Sequence, residues 1–151
     1  MQPPWFEGSN TAEQKGKQME YLNPAPGFKK HSHHSVELRS ERTPLVLRFG
    51  GEVIADTKCA LVVVEGGYPP RYYIPKVDVR MDLLEATDLE THCPFKGDAR
   101  YWTIRAGRQV LKNGAWAYDY PFDETAGLAG FIGFYTEEMD LVGDSEKAST
   151  S

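Results

Sequence analysis

Short apolar segments separated by glycine constrain this chain more than any other feature of its sequence. Leu45, Leu47 and Phe49 alternate with other residues in the segment LVLRF, two glycines follow, and the segment EVIAD comes next. Alternation of this kind is typical of a half-buried strand, in which successive side chains point to opposite faces. A two-glycine link favours a tight hairpin, because the turns that join antiparallel strands need positive φ. We therefore predict a β-hairpin over residues 45–56.

The same pattern of short runs and turn residues continues along the chain. We predict further strands at 60–64, 71–74, 79–83, 99–106, 131–135 and 139–142. Asn113-Gly114 predicts a tight turn between two more strands, QVLK and AWAY. Helix composition is confined to residues 123–129. The sequence therefore predicts a mainly β fold with at most one short helix.

The length of 151 residues allows one domain. Residues 1–22 lack strand or helix periodicity and are rich in Gln, Glu, Gly and Pro, which predicts a mobile N-terminal arm. A single β domain is expected over residues 23–142. The small, polar residues 143–151 predict a disordered tail.

Charge and hydropathy exclude several classes of protein. The net charge is −5, and eight of the 22 acidic residues lie from Asp119 onward, so we expect no nucleic-acid partner. No run approaches the roughly 18 apolar residues of a membrane helix, and no export signal is expected at the start. Two cysteines cannot build a disulfide framework, which favours a reducing, cytoplasmic location.

The densest group of reactive side chains lies in residues 91–98, THCPFKGD. It places the thiol of Cys93 three positions from the ammonium of Lys96 and next to the imidazole of His92. Such a cysteine is either an activated nucleophile or a small buried hydrophobic residue, and the second interpretation is the commoner one. A redox cycle would require a disulfide between Cys93 and Cys59, whose Cα atoms would have to lie within about 7 Å.

A second group is aromatic. Trp116, Tyr118 and Tyr120 share strand parity and would line one face if the strand extends that far, whereas Tyr101 and Trp102 point to opposite faces. Such residues either form an aromatic box for a planar or cationic ligand, or belong to the core with their polar atoms at its edge.

Two weaker patterns complete the search for a site. Three arginines could clamp an anion or simply lie on a solvated strand face: Arg80, Arg100 and Arg105. Three histidines resemble a metal tract but lack Cys or acidic partners at ligand spacing: His31, His33 and His34. We therefore predict no metal and no cofactor. The motifs CxxC, GxxxxGK[ST], GxGxxG and GxSxG are absent, which removes the usual sequence support for zinc fingers, P-loop enzymes, Rossmann domains and serine hydrolases.

Several long segments of the sequence resemble the motifs of a known protein family. They are NPAPGF at 23–28, FGGEVIADT at 49–57, EGGYPPRYYIPKVDVRMDLLEATD at 65–88, THCPFKGDARYW at 91–102, WAYDYP at 116–121 and GFIGFY at 130–135. With these motifs, the chain resembles the bacterial family known as domain of unknown function 427 from about residue 23 to 142.

The resemblance implies a β-tent fold, in which two antiparallel sheets meet at an angle. Methionine-R-sulfoxide reductases and the drug-binding domain of cereblon share this architecture. Many such proteins hold a zinc ion with two CxxC pairs, which this sequence lacks, so the resemblance does not imply a structural zinc here. Relatives of the fold bind small ligands in the cleft between the sheets. Fold alone does not determine function.

Our leading hypothesis is that a small polar or aromatic metabolite binds in a cleft between the sheets. The candidate lining residues are Thr91, Cys93, Lys96, Tyr101, Trp116 and Tyr118. The first alternative is an enzyme with Cys93 as nucleophile or redox centre, activated by Lys96 or His92. The second is a non-catalytic interaction module that uses strand edges or the acidic C-terminal end.

Overall fold

Ten strands form two antiparallel sheets in the computed structural model, which describes residues 23–143. The strands are β1 (Val36–Glu41), β2 (Leu45–Phe49), β3 (Glu52–Thr57), β4 (Ala60–Glu65), β5 (Arg71–Pro75), β6 (Leu84–Cys93), β7 (Gly97–Ala106), β8 (Gln109–Ala117), β9 (Phe131–Phe134) and β10 (Asp140–Gly143). Seven strands pair in the order β1-β4-β5-β9-β8-β7-β6, and three pair in the order β10-β2-β3. The prediction of a mainly β fold with two antiparallel sheets is confirmed.

The predicted terminal segments lie almost entirely outside the residues that the structure describes. The arm predicted at 1–22 falls outside the described residues, as do residues 144–151 of the predicted tail. Strand β10 includes Gly143, which pairs with Leu45, so the sheet extends one residue past 142.

Helices are few and short in residues 23–143. One α-helix, α1 (Gly27–Lys30), follows Pro26. Four 3-10 helices span Lys76–Asp78, Met81–Leu83, Asp123–Leu128 and Thr136–Glu138. The segment predicted as helical, 123–129, is therefore a 3-10 helix, interrupted by non-helical backbone at Thr125 (φ −123°, ψ 26°). No helix in the described range is long and apolar enough to cross a membrane.

The prediction of a strand over residues 79–83 is wrong. Val79 makes only an isolated bridge with Ala55, and two 3-10 helices flank it. The amide of Arg80 donates to the carbonyl of Ile54 at 2.7 Å, and the amide of Leu83 then donates to Arg80 within its own turn. The backbone groups after Arg80 therefore bond locally, although the side chains alternate as they would in a strand.

The turn predicted at Asn113-Gly114 is also wrong. Strand β8 continues through both residues, and its register against β7 shifts there, as at a β-bulge. Asn113 has φ 53°, a conformation that asparagine tolerates in bulges as well as in turns. The β7–β8 hairpin reverses instead at Gly107-Arg108, where Gly107 has φ 57°.

The seven-stranded sheet has a different hydrophobic cluster on each face. Between the two sheets lies the larger cluster, which includes Leu47 and Ile54 from the small sheet with Ile74 and Trp102 from the large one. The opposite face carries a smaller cluster: Val63, Tyr73, Ala99, Trp116, Tyr118 and Leu128. Alternation along the strands explains the division, because Tyr73 and Ile74 on β5 point to opposite faces.

Candidate functional site

A cleft of about 190 Å³ opens on the face of the seven-stranded sheet that carries the smaller cluster. We call it the tyrosine cleft. Its lining residues are Val63, Glu65, Tyr68, Arg71, Tyr73, Lys96, Tyr101, Trp116, Tyr118 and Tyr135. None of them belongs to the three-stranded sheet.

The position of the tyrosine cleft differs from the expected one. We predicted a cleft between the two sheets, but the space between them is filled by the larger core. Tyr101 points away from that core, whereas its neighbour Trp102 points into it, as their parity predicted. The aromatic side chains that share the parity of Tyr101 therefore meet on the outer face of the large sheet.

A glycine allows three strands to bring the aromatic rings together. Gly133 on β9 pairs with Tyr73 on β5 and with Trp116 on β8. A Cβ at this position would lie 2.5 Å from Cε2 of Trp116, so the indole occupies the space that a side chain would take. Across the glycine, the indole N–H of Trp116 donates to the hydroxyl of Tyr73 at 2.9 Å. Tyr101 on β7 lies directly opposite Trp116.

The phenol groups of the tyrosine cleft differ in their hydrogen bonds. The hydroxyls of Tyr101 and Thr91 form a hydrogen bond of 2.9 Å. Tyr118 is only 8% exposed, yet its hydroxyl has no hydrogen-bond partner within residues 23–143. Burial raises the pKa of Tyr73 and of Tyr118 well above the usual value of a phenol. Both hydroxyls are therefore neutral donors at physiological pH.

A buried ion pair closes one end of the tyrosine cleft. The Lys96 side chain enters from the tight β6–β7 link, is 9% exposed, and donates to one carboxylate oxygen of Glu65. His34 contacts the other oxygen through Nε2 at 2.7 Å, while its ring stacks on Phe95 at 4.1 Å. Burial by itself would raise the pKa of Glu65, but the hydrogen bonds and charges of Lys96 and His34 outweigh it and lower that pKa. Glu65 is therefore ionised, with both of its oxygens engaged.

A second ion pair lies at the rim. Arg71 begins β5, and its guanidinium carbon lies 4.9 Å from the centre of the Tyr135 ring. Nη1 of Arg71 donates to both carboxylate oxygens of Glu137, at 2.6 and 2.7 Å. Hydrogen bonding from Arg71 lowers the pKa of Glu137. Glu137 does not line the tyrosine cleft and holds Arg71 from outside it.

The sequence profile of the family described as domain of unknown function (DUF427) matches residues 37–145. The chain belongs to this family. The matched range contains every residue that lines the tyrosine cleft and all ten strands except the first residue of β1. A comparison with curated proteins yields no match.

The resemblance to DUF427 proteins that the motifs indicated is therefore confirmed. Four of the six candidate residues line one cleft in this DUF427 domain: Lys96, Tyr101, Trp116 and Tyr118. The other two do not line it: Thr91 bonds to Tyr101, and Cys93 packs against the smaller cluster. Tyr120 does not join them, since β8 ends at Ala117 and this side chain is exposed.

Sequence reasoning missed several lining residues, above all Glu65, Arg71 and Tyr73. One signal was present. Glu65 directly follows the apolar run of β4, and Arg71 opens β5 after the loop GGYPP. An acidic residue at the end of one apolar strand and a basic residue at the start of the next indicate that charged side chains lie at the edge of the core.

The arrangement around Cys93 does not favour the enzyme alternative. Both cysteines are free thiols, and Cys59 is exposed. Sγ of Cys93 lies 3.9 Å from Nζ of Lys96, whose ammonium is already paired with Glu65. His92 points to the other face of β6, where it is exposed and bonds to Asp98 at 2.7 Å. Lys96 therefore contacts the thiol with its charge balanced by Glu65, and His92 is turned away from it.

The remaining candidates are distributed over the surface of the DUF427 domain. Each of the three arginines pairs with its own acidic residue: Arg80 with Asp82, Arg100 with Asp119 and Arg105 with Glu85. These pairs do not converge on one site, as expected of a solvated surface. In the described part of the chain, no three His, Cys, Asp or Glu side chains cluster at metal-binding distances, the histidines at 31–34 included.

Proposed function

We propose that this DUF427 domain binds a small polar or aromatic metabolite in the tyrosine cleft. The observation that carries the proposal is Tyr118, which is 8% exposed, lines the cleft and has no hydrogen-bond partner for its hydroxyl in residues 23–143. A tyrosine hydroxyl beside an open cleft can donate a hydrogen bond to a molecule bound there, or accept one from it. A bound ligand that accepts this hydrogen bond would supply the missing partner.

The size and lining of the tyrosine cleft support a ligand of about one ring. Its volume of about 190 Å³ is below the roughly 300–1,000 Å³ of sites for drug-sized molecules. Trp116 and Tyr135 lie with their ring centres 4.5 Å apart, and Tyr73 meets Trp116 edge-on at 5.9 Å. Aromatic walls of this kind favour a planar group through stacked or edge-to-face contacts.

A thermal-shift screen of the full chain tests the proposal. The panel contains nucleotides, sugar phosphates, amino acids, aromatic acids and aromatic amines. A ligand present at a hundred times its dissociation constant stabilises the protein by about 2.7 kcal/mol, which raises the unfolding midpoint visibly. We expect at least one compound to do so, and we expect Tyr118→Phe to reduce its effect.

Tyr120→Phe is the matched control, because it removes the hydroxyl of a tyrosine that is 62% exposed and outside the tyrosine cleft. It should leave the ligand response unchanged. A panel without any stabilising compound, or a response equal in wild type and Tyr118→Phe, would contradict the proposal.

A further inference from the structure

The polar groups of the tyrosine cleft are donors and cations rather than acceptors. Glu65 is the acidic lining residue, and Lys96 and His34 occupy both of its oxygens. Because Arg71 and Lys96 also line the cleft, its walls carry two positive charges against one negative charge. The neutral phenol hydroxyls of Tyr73 and Tyr118 add further donors. A ligand that suits this lining supplies acceptor atoms and a negative charge.

Of the two cations that line the cleft, Arg71 is the one whose ion-pair partner a ligand can replace. The side chains of Lys96 and Glu65 are 9% and 15% exposed, and separating a buried pair leaves an uncompensated charge. Arg71 and Glu137 are 28% and 50% exposed, and such pairs contribute little to stability. A ligand can therefore displace Glu137 from Arg71 at low cost, whereas it cannot separate Lys96 from Glu65.

The contacts of Arg71 indicate the chemical class of that ligand. Its guanidinium already binds the carboxylate of Glu137, both of whose oxygens accept hydrogen bonds from Nη1. The guanidinium also lies over Tyr135, whose ring contacts Trp116. An aromatic ring placed beside these two rings would carry a substituent toward Arg71.

We propose that the ligand of the tyrosine cleft is a small aromatic carboxylate, which takes the place of the Glu137 side chain on Arg71. This inference rests on the proposed function, because it names the class of ligand for the same site. Glu137 then acts as an internal competitor that holds Arg71 in place when the cleft is empty.

Four probes of similar size test the ligand class by isothermal titration calorimetry on the full chain: benzoate, benzamide, benzylamine and phenylphosphonate. They share a ring and differ in charge and in the shape of the polar group. We expect benzoate to bind at least tenfold more tightly than benzamide or benzylamine, because hydrogen bonds to charged groups contribute about 1.5–3 kcal/mol. Phenylphosphonate should bind less tightly than benzoate, since its three oxygens need more room than the two carboxylate oxygens that Nη1 of Arg71 now holds.

Three variants test the role of Arg71. Arg71→Gln should weaken benzoate binding about tenfold or more. Glu137→Gln, an exposed substitution that the fold tolerates, should strengthen it about two- to fivefold because the competitor is lost. Arg100→Gln is the matched control: Arg100 pairs with Asp119 and lies 4.4 Å from the Trp102 ring centre, but it does not line the tyrosine cleft. It should leave benzoate affinity unchanged.

Each contrary result has a defined meaning. Benzamide or benzylamine binding as tightly as benzoate would overturn the carboxylate class, and tighter binding of phenylphosphonate would assign the site to phosphate-like anions instead. Equal benzoate affinity in wild type, Arg71→Gln and Glu137→Gln would overturn the assignment to Arg71, as would an equal loss in Arg100→Gln. If all four probes fail while a metabolite of the panel binds through Tyr118, the inference fails and the proposed function stands. If the panel and the probes all fail, the proposed function fails as well.

Discussion

Two tyrosines of the tyrosine cleft have similar surroundings and different hydrogen bonds. The hydroxyl of Tyr73 accepts the indole N–H of Trp116, whereas that of Tyr118 has no partner in the described range. We expect Tyr73→Phe to lower the free energy of unfolding by about 1–3 kcal/mol, because it leaves a buried donor without an acceptor. Tyr118→Phe should change it by less than about 0.5 kcal/mol, since no hydrogen bond within residues 23–143 is lost. Urea denaturation of the two variants checks this, and an equal loss in both would reveal a protein partner for Tyr118.

The Glu65–Lys96 pair makes stability depend on pH. The folded protein lowers the pKa of Glu65 below its ordinary value of 4.5, so the stabilisation is fully present above that value and is lost as pH falls through the folded pKa. We expect the free energy of unfolding to decrease on acidification below about pH 4.5, and to decrease less steeply in Glu65→Gln. Urea titrations from pH 7 to pH 3 measure both slopes. Identical slopes would show that other carboxylates account for the effect.

At neutral pH the same substitution tests the burial of the pair. Glu65→Gln leaves the buried ammonium of Lys96 without its counter-charge, and such changes cost about 3–5 kcal/mol. The double variant Glu65→Leu/Lys96→Met removes both charges and should recover part of this loss, because apolar pairs often replace buried ion pairs without penalty. A double variant less stable than Glu65→Gln would contradict this account.

The sequence revealed the site residues that lie close together along the chain and missed those that meet across it. Lys96 and Tyr101 share one motif, and strand parity grouped Trp116 with Tyr118. Glu65 meets Lys96 from 31 residues away, and Arg71 meets Glu137 from 66 residues away. Such contacts depend on which strands are neighbours in the sheet, and alternation along a single strand carries no information about that order.

At the scale of the strands, β9 determines whether the aromatic rings can meet. Gly133→Ala would place a Cβ 2.5 Å from Trp116, so the indole would have to move and its bond to Tyr73 would be strained. We expect a loss of about 1–3 kcal/mol in unfolding free energy, together with weaker ligand binding. Gly66→Ala serves as the control, because its added Cβ would lie 3.6 Å from the nearest atom. Equal stability of the two variants would show that Trp116 does not depend on the glycine.

Glycine and asparagine residues in the sequence predicted positive backbone φ angles correctly, but they did not always predict where a hairpin turns. Gly50 and Gly51 have φ of 60° and 82° and form the predicted hairpin. Asn113 also has the positive φ that its motif indicates, but it lies in a bulge of β8, where its side chain accepts a hydrogen bond from Thr87 at 2.7 Å. A positive φ serves a turn and a bulge equally well, so the partner strand decides between them.

At the scale of the whole molecule, the division of the apolar side chains explains why a cleft is present. The three-stranded sheet covers one face of the seven-stranded sheet, and the core between them is continuous. Within residues 23–143, short segments cover the other face, among them the 3-10 helix Asp123–Leu128, whose Leu128 is fully buried. The part of this face that the segments leave open is the tyrosine cleft. The fold thus separates the stabilising core from the proposed binding surface.

The segment that precedes β1 connects two of the covering loops. The amide of Asn23 donates to Asp123 at 2.6 Å, and that of Ala25 donates to Glu124 at 2.8 Å. The amide of Gly27 donates to the carbonyl of Pro94 at 2.9 Å, beside the link that carries Lys96 into the tyrosine cleft. Residues 23–30 therefore hold the Lys96 link and the 3-10 helix together.

Truncation from the N-terminus tests this connection and the proposed domain boundary. A chain that begins at Asn23 lacks only the predicted arm and should unfold at the same urea midpoint as the full chain. A chain that begins at His31 also loses the hydrogen bonds to Asp123, Glu124 and Pro94, each contributing about 0.5–1.5 kcal/mol. We expect its free energy of unfolding to fall by at least about 2 kcal/mol, and its ligand affinity to fall with it because Lys96 loses its support. If both truncated chains match the full chain, residues 23–30 neither stabilise the domain nor position Lys96.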